Sequence, residues 1–142
     1  MISIREVSPR FYAGELVSLQ MMCLEGDKPL VPTEAGRWWG VFDNDKMKIV
    51  GFACMKDTKN WPEAAYMARC GVVSKYRGKG LQYKLLMARL KAAKKEGKKF
   101  AVSDCIHQNV QSGNNLIKTG FHMYEPREAW ALDNSIYWMK KL

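Results

Sequence analysis

The chain has 142 residues, 47% of them hydrophobic, and a formal net charge of +9. That is the length of one domain with a real core, and the apolar fraction excludes a disordered chain. No apolar run approaches the roughly 18 residues of a membrane span, and MISIREVSPR has no secretory leader, so the expectation is one cytoplasmic domain over residues 1–142 with no membrane partner.

Ile2 to Val7 alternates apolar and polar and predicts a first strand. Ser8-Pro9 then predicts a helix start, with Pro9 in the first turn. Phe11, Leu16, Leu19 and Met22 or Cys23 mark its apolar stripe, and Met21 and Met22 read as core filler. Gly26 to Gly36 is rich in Gly and Pro and predicts a loop. Arg37–Phe42 and Lys48–Met55 predict a hairpin around DNDK. Trp38 and Trp39 must face opposite sides of their strand, one in the core and the other over a pocket or an edge. Trp61 falls in the next loop, where a lid is one role and ordinary packing the other.

Ala64 to Val73 predicts a fourth strand that runs into VVSKYRGKG and then a helix, LQYKLLMARLKAAKKEG. Leu81, Leu85, Ala88 and Ala92 recur there at helical spacing, and Gly97 stands where a left-handed cap belongs. A strand, a glycine loop and a helix together aim free backbone N–H groups and the helix dipole at an anion, usually phosphate. Gly78 and Gly80 permit close approach, and Arg77 and Lys79 add charge. The GxxxxGK[ST] and GxGxxG phosphate loops are absent. Residues 75–99 carry ten Lys and Arg against the single acid Glu96, and so hold the whole positive excess. A phosphate ligand suits part of it. The surplus lysines form either a solvated outer face or a nucleic-acid patch.

KFAVSDCI, nearly all apolar, predicts a central parallel strand. A helix from about Asn109 to Thr119 ends at Gly120, and FHMYEP and SIYWMKKL predict a final antiparallel pair. Cys23, Cys54, Cys70 and Cys105 sit singly, without CxxC spacing or a histidine pair, so reduced core thiols are expected and a metal is not.

VVSKYRGKGL resembles the acyl-CoA pyrophosphate loop of the GNAT acetyltransferase superfamily, matching it at Val72, Tyr76, Arg77, Gly78, Gly80 and Leu81. Ser74 stands for the usual proline, and Gln82 for the usual small residue. NVQSGNNLIKTGF, Asn109 to Phe121, resembles the family's second motif in the right order downstream. The resemblance implies an α/β (α+β) GNAT-like fold with a mixed central sheet of six to seven strands, three to four helices, and the order β-α-β-β-β-α-β-α-β-β.

It also implies acetyl-CoA as co-substrate, with Arg77, Gly78, Lys79, Gly80, Leu81 and Gln82 cradling the pyrophosphate, and Asn109 and Ser112 holding pantetheine. In the family a backbone N–H at a bulge in the fourth strand polarises the thioester, which maps here to Val72 or Val73. Asp104 occupies the register of a catalytic glutamate in the ribosomal-protein acetyltransferases, and His107 is second choice as base. The usual tyrosine acid is replaced by Leu116, leaving Ser112 to hydrogen-bond the sulfur, with Tyr76 and Tyr124 as spare phenols. Glu34 falls in the loop that borders the acceptor pocket in this family.

The function implied is acyl transfer from acetyl-CoA to an amine of a protein or small molecule. The alternatives are acylation of a nucleobase or nucleic acid, raised by the basic segment, and a non-catalytic CoA-binding module, raised by Leu116 and Gln82. Monomer and homodimer both stay open.

Overall fold

The computed structural model describes residues 1–142. Seven strands form one sheet: β1 (Ile2–Val7), β2 (Arg37–Asp43), β3 (Lys48–Asp57), β4 (Ala64–Val72), β5 (Phe100–Ile106), β6 (His122–Tyr124) and β7 (Ser135–Lys141). Three helices connect them: α1 (Ala13–Cys23), α2 (Leu81–Glu96) and α3 (Val110–Lys118). The spatial order is β1-β2-β3-β4-β5-β7-β6, antiparallel except between β4 and β5. The element order is the one the sequence predicts. No helix is long and apolar enough to cross a membrane.

Alternation along the strands divides the apolar residues between two faces. Ala65, Met67, Ala101 and Cys105 join Leu85, Leu86 and Leu90 of α2 and Leu116 of α3 in the larger core. The other face packs Trp38, Phe52 and Cys54 against Leu16 and Leu19 of α1. Both tryptophans of the Trp38-Trp39 pair are buried, one in each core, so the pair leaves no ring over a pocket. Trp38 also donates its indole N–H to the Pro32 carbonyl at 3.0 Å.

The first helix departs from expectation. It starts at Ala13, because Ser8 builds a separate turn: its carbonyl accepts from Tyr12 N–H at 3.0 Å and its hydroxyl from Phe11 N–H at 3.2 Å. Met21 and Met22 are exposed rather than core filler, and Gln20 is buried in their stead. Gln20 escapes the cost of burying an unpaired amide by exchanging two hydrogen bonds with the Leu30 backbone, at 2.9 and 3.0 Å.

Two irregularities shape the centre of the sheet. β4 and β5 pair only over Ala64–Tyr66 and Phe100–Val102, and then part. On the other side of β4 the register runs from Ala53 opposite Cys70 to Met55 opposite Met67, so Ala68 and Arg69 together face Cys54. That is a β-bulge, which bends its strand and increases its twist.

Candidate active site

The loop after β4 begins with a turn over Ser74–Tyr76 and reaches α2 through Gly78 (φ 78°) and Gly80 (φ 73°). Both glycines are in the left-handed region, and a Cβ on either would project into open space. The constraint there is backbone conformation and ligand approach, not packing. Lys84 N–H is the first to reach an intrahelical carbonyl, that of Gly80, at 3.1 Å, and no side chain caps the helix. The amides of Leu81, Gln82 and Tyr83 are therefore free for an anion. Tyr76 is buried beneath the loop and donates its hydroxyl to Asp43 at 2.5 Å. This bond holds the Asp43 carboxyl below its ordinary range and pushes the Tyr76 phenol up. Arg77 donates Nε–H to the Val72 carbonyl at 2.9 Å and so ties the loop back to its strand.

A cavity of about 320 Å³ opens in front of this loop, bordered by Val72, Arg77, Gly78, Gly80, Gln82 and Asn109. It shares Cys70, Gln82 and Asn109 with a second cavity of about 300 Å³ that fills the gap between β4 and β5. Asp104, Ser112 and Leu116 line the second cavity. Leu81 touches the first cavity, while its side chain is buried in the core. Lys79 and Val73 border neither.

The bulge expected at Val72 or Val73 is absent from both. Val72 pairs regularly with Gly51, and Val73 N–H is engaged with the Val50 carbonyl at 2.9 Å. The irregular pair is Ala68-Arg69, which lines the cavity beside Asp104. The glycine loop marks the end of the strand, whereas the bulge lies further upstream in it.

Asp104 is half-buried and accepts the Tyr66 hydroxyl at 2.5 Å across the gap. Burial first, and then the Asp104 charge, push the Tyr66 phenol far above its ordinary value. Tyr66 is thus a committed donor that steadies a carboxylate. Ser103 donates its hydroxyl to the Met67 carbonyl at 2.9 Å where the two strands separate. Asn109 caps α3, its Oδ1 accepting from Ser112 N–H at 3.1 Å, so its side chain has a structural task at the cavity edge. His107 is exposed and borders neither of these cavities, and the same holds for Glu34 on the short turn Pro32–Glu34.

A third cavity, of about 860 Å³, lies between residues 56–61 and residues 124–130 and is lined by Tyr66, Trp61, Tyr124 and Trp130. Tyr66 and Val102 turn away from Ala65, Met67 and Ala101, so this cavity is on the sheet face opposite α2. Tyr66 stands between the two cavities and lines both of them. Trp61 packs against Phe100 at 4.8 Å, so it forms a wall.

Sequence reasoning missed two residues here. Tyr66 pairs with Asp104 only because β4 and β5 are neighbours in a definite register. Arg89 lines the cavity between β4 and β5 and is 3% exposed. Its signal was its place in the i, i+4 series Leu81, Leu85, Arg89, Ala93, a charge on an apolar stripe.

The acetyltransferase (GNAT) family profile matches residues 8–121. The fold is shared with the ribosomal-protein-S18-alanine N-acetyltransferase of Escherichia coli, at 15% identity and a TM-score of 0.76 over 99% of this chain and 94% of that one. It is similar to a Bacillus subtilis acetyltransferase in complex with CoA, at 16% identity and 0.74 over 99% and 97%. It is also similar to the Salmonella typhimurium protein yncA with its cofactor acetyl-CoA, at 14% identity and 0.79 over 99% and 94%. No curated protein matches the sequence. With four-fifths of its length matched, the chain belongs to the GNAT acetyltransferase family and is an acetyltransferase.

Proposed function

We propose that the protein transfers an acetyl group from acetyl-CoA to a primary amine by direct attack of the amine on the thioester. The observation that carries this reading is the continuous passage from the glycine loop, past Gln82 and Asn109, into the gap where Asp104 stands. The loop amides and the α2 dipole suit a pyrophosphate. The unpaired edges of β4 and β5 suit the amide-bearing pantetheine arm, which adds to strand backbone as a further strand would. The solved neighbours that hold CoA and acetyl-CoA support the same co-substrate.

In this reading the acceptor arrives from the cavity lined by Trp61, Tyr124 and Trp130, on the face opposite the loop. Asp104, with Tyr66 donating to it, removes the proton as the amine nitrogen bonds to the carbonyl carbon. The backbone at Ala68-Arg69 is the candidate for polarising the carbonyl oxygen. Ser112, which lines the same cavity, hydrogen-bonds the sulfur in this reading. Asn109 and Gln82 form the neck between phosphate and thioester.

The test is calorimetric titration with acetyl-CoA, together with thiol release on a panel of primary amines, for the native chain and for Gly80→Asp. The expected result is binding that weakens at least about tenfold in the variant, equivalent to roughly 1.4 kcal/mol, because a carboxylate then faces the pyrophosphate. Equal affinity in two folded proteins rejects the loop as the phosphate site.

A further inference from the structure

Arg89 is a buried cation without an anion. Its Nε–H reaches the Leu85 carbonyl at 3.3 Å, and Nη1 reaches the carbonyls of Cys54 at 2.9 Å and Ala68 at 3.2 Å. It forms no ion pair, although charges removed from water are ordinarily paired. Cys54 and Ala68 are the two sides of the β4 bulge, so Nη1 holds that irregularity in place. Nη2 donates to no group of the chain. The one fully buried side-chain polar atom lacking a partner is Ser135 Oγ, so Nη2 keeps access to the cavity that Arg89 lines with Asp104, Ser112 and Leu116.

The family tyrosine that would protonate the leaving sulfur is replaced by Leu116 in that same cavity. We propose that Arg89 is the anion-stabilising group for the departing CoA thiolate, doing by fixed charge what a tyrosine would do by proton transfer. The inference rests on the acyl-CoA reading above. As the amine nitrogen bonds to the carbonyl carbon, the C–S bond breaks and its electron pair stays on sulfur. The amine proton goes to Asp104, and the thiolate leaves unprotonated beside Nη2. A preorganised charge in a site that excludes water acts more strongly than the same charge in solution, and it requires no reorganisation during the reaction. Burial pulls the guanidinium below its ordinary pKa, opposed by the nearby thiols of Cys70 and Cys54, but an arginine still keeps its proton at neutral pH. The other titratable or charged groups around the cavity are Asp27, Tyr66, Arg69, Asp104 and Cys105.

The test uses the full chain and its Arg89→Lys and Arg89→Gln variants with CoA itself as the probe. Ionisation of the bound thiol is followed by the ultraviolet absorbance of the thiolate across pH, and affinity by calorimetry. In the native protein the bound thiol should ionise at lower pH than free CoA. Arg89→Lys should keep part of that shift, and Arg89→Gln should abolish it while CoA affinity stays within a few-fold. Turnover with an acceptor should fall by about 10²- to 10³-fold in Arg89→Gln, the effect of deleting one preorganised donor. A bound thiol that ionises in the native protein as it does in free CoA overturns this inference alone, whether or not the glutamine variant folds. An unchanged shift in Arg89→Gln does the same. Failure of the native chain to bind CoA overturns the acyl-CoA reading, and this inference with it.

Discussion

At the scale of single residues, the proposed base is a carboxylate with a committed donor. Because Tyr66 donates its hydroxyl to one Asp104 oxygen at 2.5 Å, the carboxylate keeps its other oxygen free for the incoming amine. Asp104→Asn should lower turnover by about 10²- to 10⁴-fold, the usual range for a general base, with CoA affinity nearly intact. The loss should shrink at high pH, where the acceptor deprotonates unaided. A pH–rate profile of the variant that keeps the native acidic limb would give the role to another group. Asp104 was legible in the sequence because it lies in a motif register, five residues before Asn109. Tyr66 and Arg89 were not. One needs the pairing of two strands distant in sequence, and the other is hidden among ten basic residues that otherwise read as surface.

At the scale of elements, the glycine loop is braced from below. Tyr76 joins it to the end of β2 through Asp43, which is 7% exposed. The Asp43 carboxyl is depressed in the folded chain, mainly by the Tyr76 hydroxyl, so its contribution is present above the unfolded carboxylate value and is lost as pH falls through the folded one. The Tyr76 phenol is raised, mainly by the same bond, so its contribution is present below the unfolded phenol value and is lost as pH rises through the folded one. Tyr76→Phe should therefore lower the urea midpoint between about pH 4 and pH 10. The gap from the native protein should close outside that window. A difference that persists unchanged at pH 2 would show that the hydroxyl stabilises through packing alone. The loop and α2 were legible because glycine, apolar spacing and the Gly97 cap agree. The start of α1 was not, because Ser8 can open a separate turn as readily as it can cap a helix. Nor was the bulge at Ala68-Arg69, since two consecutive residues sharing one partner leave no mark in either strand alone.

At the scale of the molecule, the charge lies apart from the cavity proposed for the acceptor. Lys91, Lys94 and Lys95 are exposed on α2, which covers one face of the sheet, whereas the cavity of Trp61 and Trp130 opens on the other. A nucleic-acid acceptor would need the basic surface at the cavity mouth. The expectation is no saturable binding of DNA or RNA at physiological salt, and no change when the three lysines become glutamine. A steep, salt-dependent shift lost in that triple variant would overturn it. Fold class, the order of elements and the position of the glycine loop were all legible in the chain. What was not legible was the opening in the sheet, which depends on where β4 and β5 separate.

That separation means that the two halves of the sheet, β1 to β4 and β5 to β7, are stitched by three rungs of backbone pairing at one end. Beyond Tyr66 and Val102 no backbone pairing joins these two plates. A pantetheine arm lying between them would act as the missing strand and lock the plates, so that co-substrate binding and the rigidity of the sheet become one event. Amide hydrogens of residues 67–72 and 103–106 that face the opening should then exchange readily in the free protein and slow together when CoA is added. The same linkage should raise resistance to unfolding by about 2.7 kcal/mol at a ligand concentration one hundred times its dissociation constant. Slowed exchange confined to the glycine loop would mean that the nucleotide end binds while the plates stay free to move.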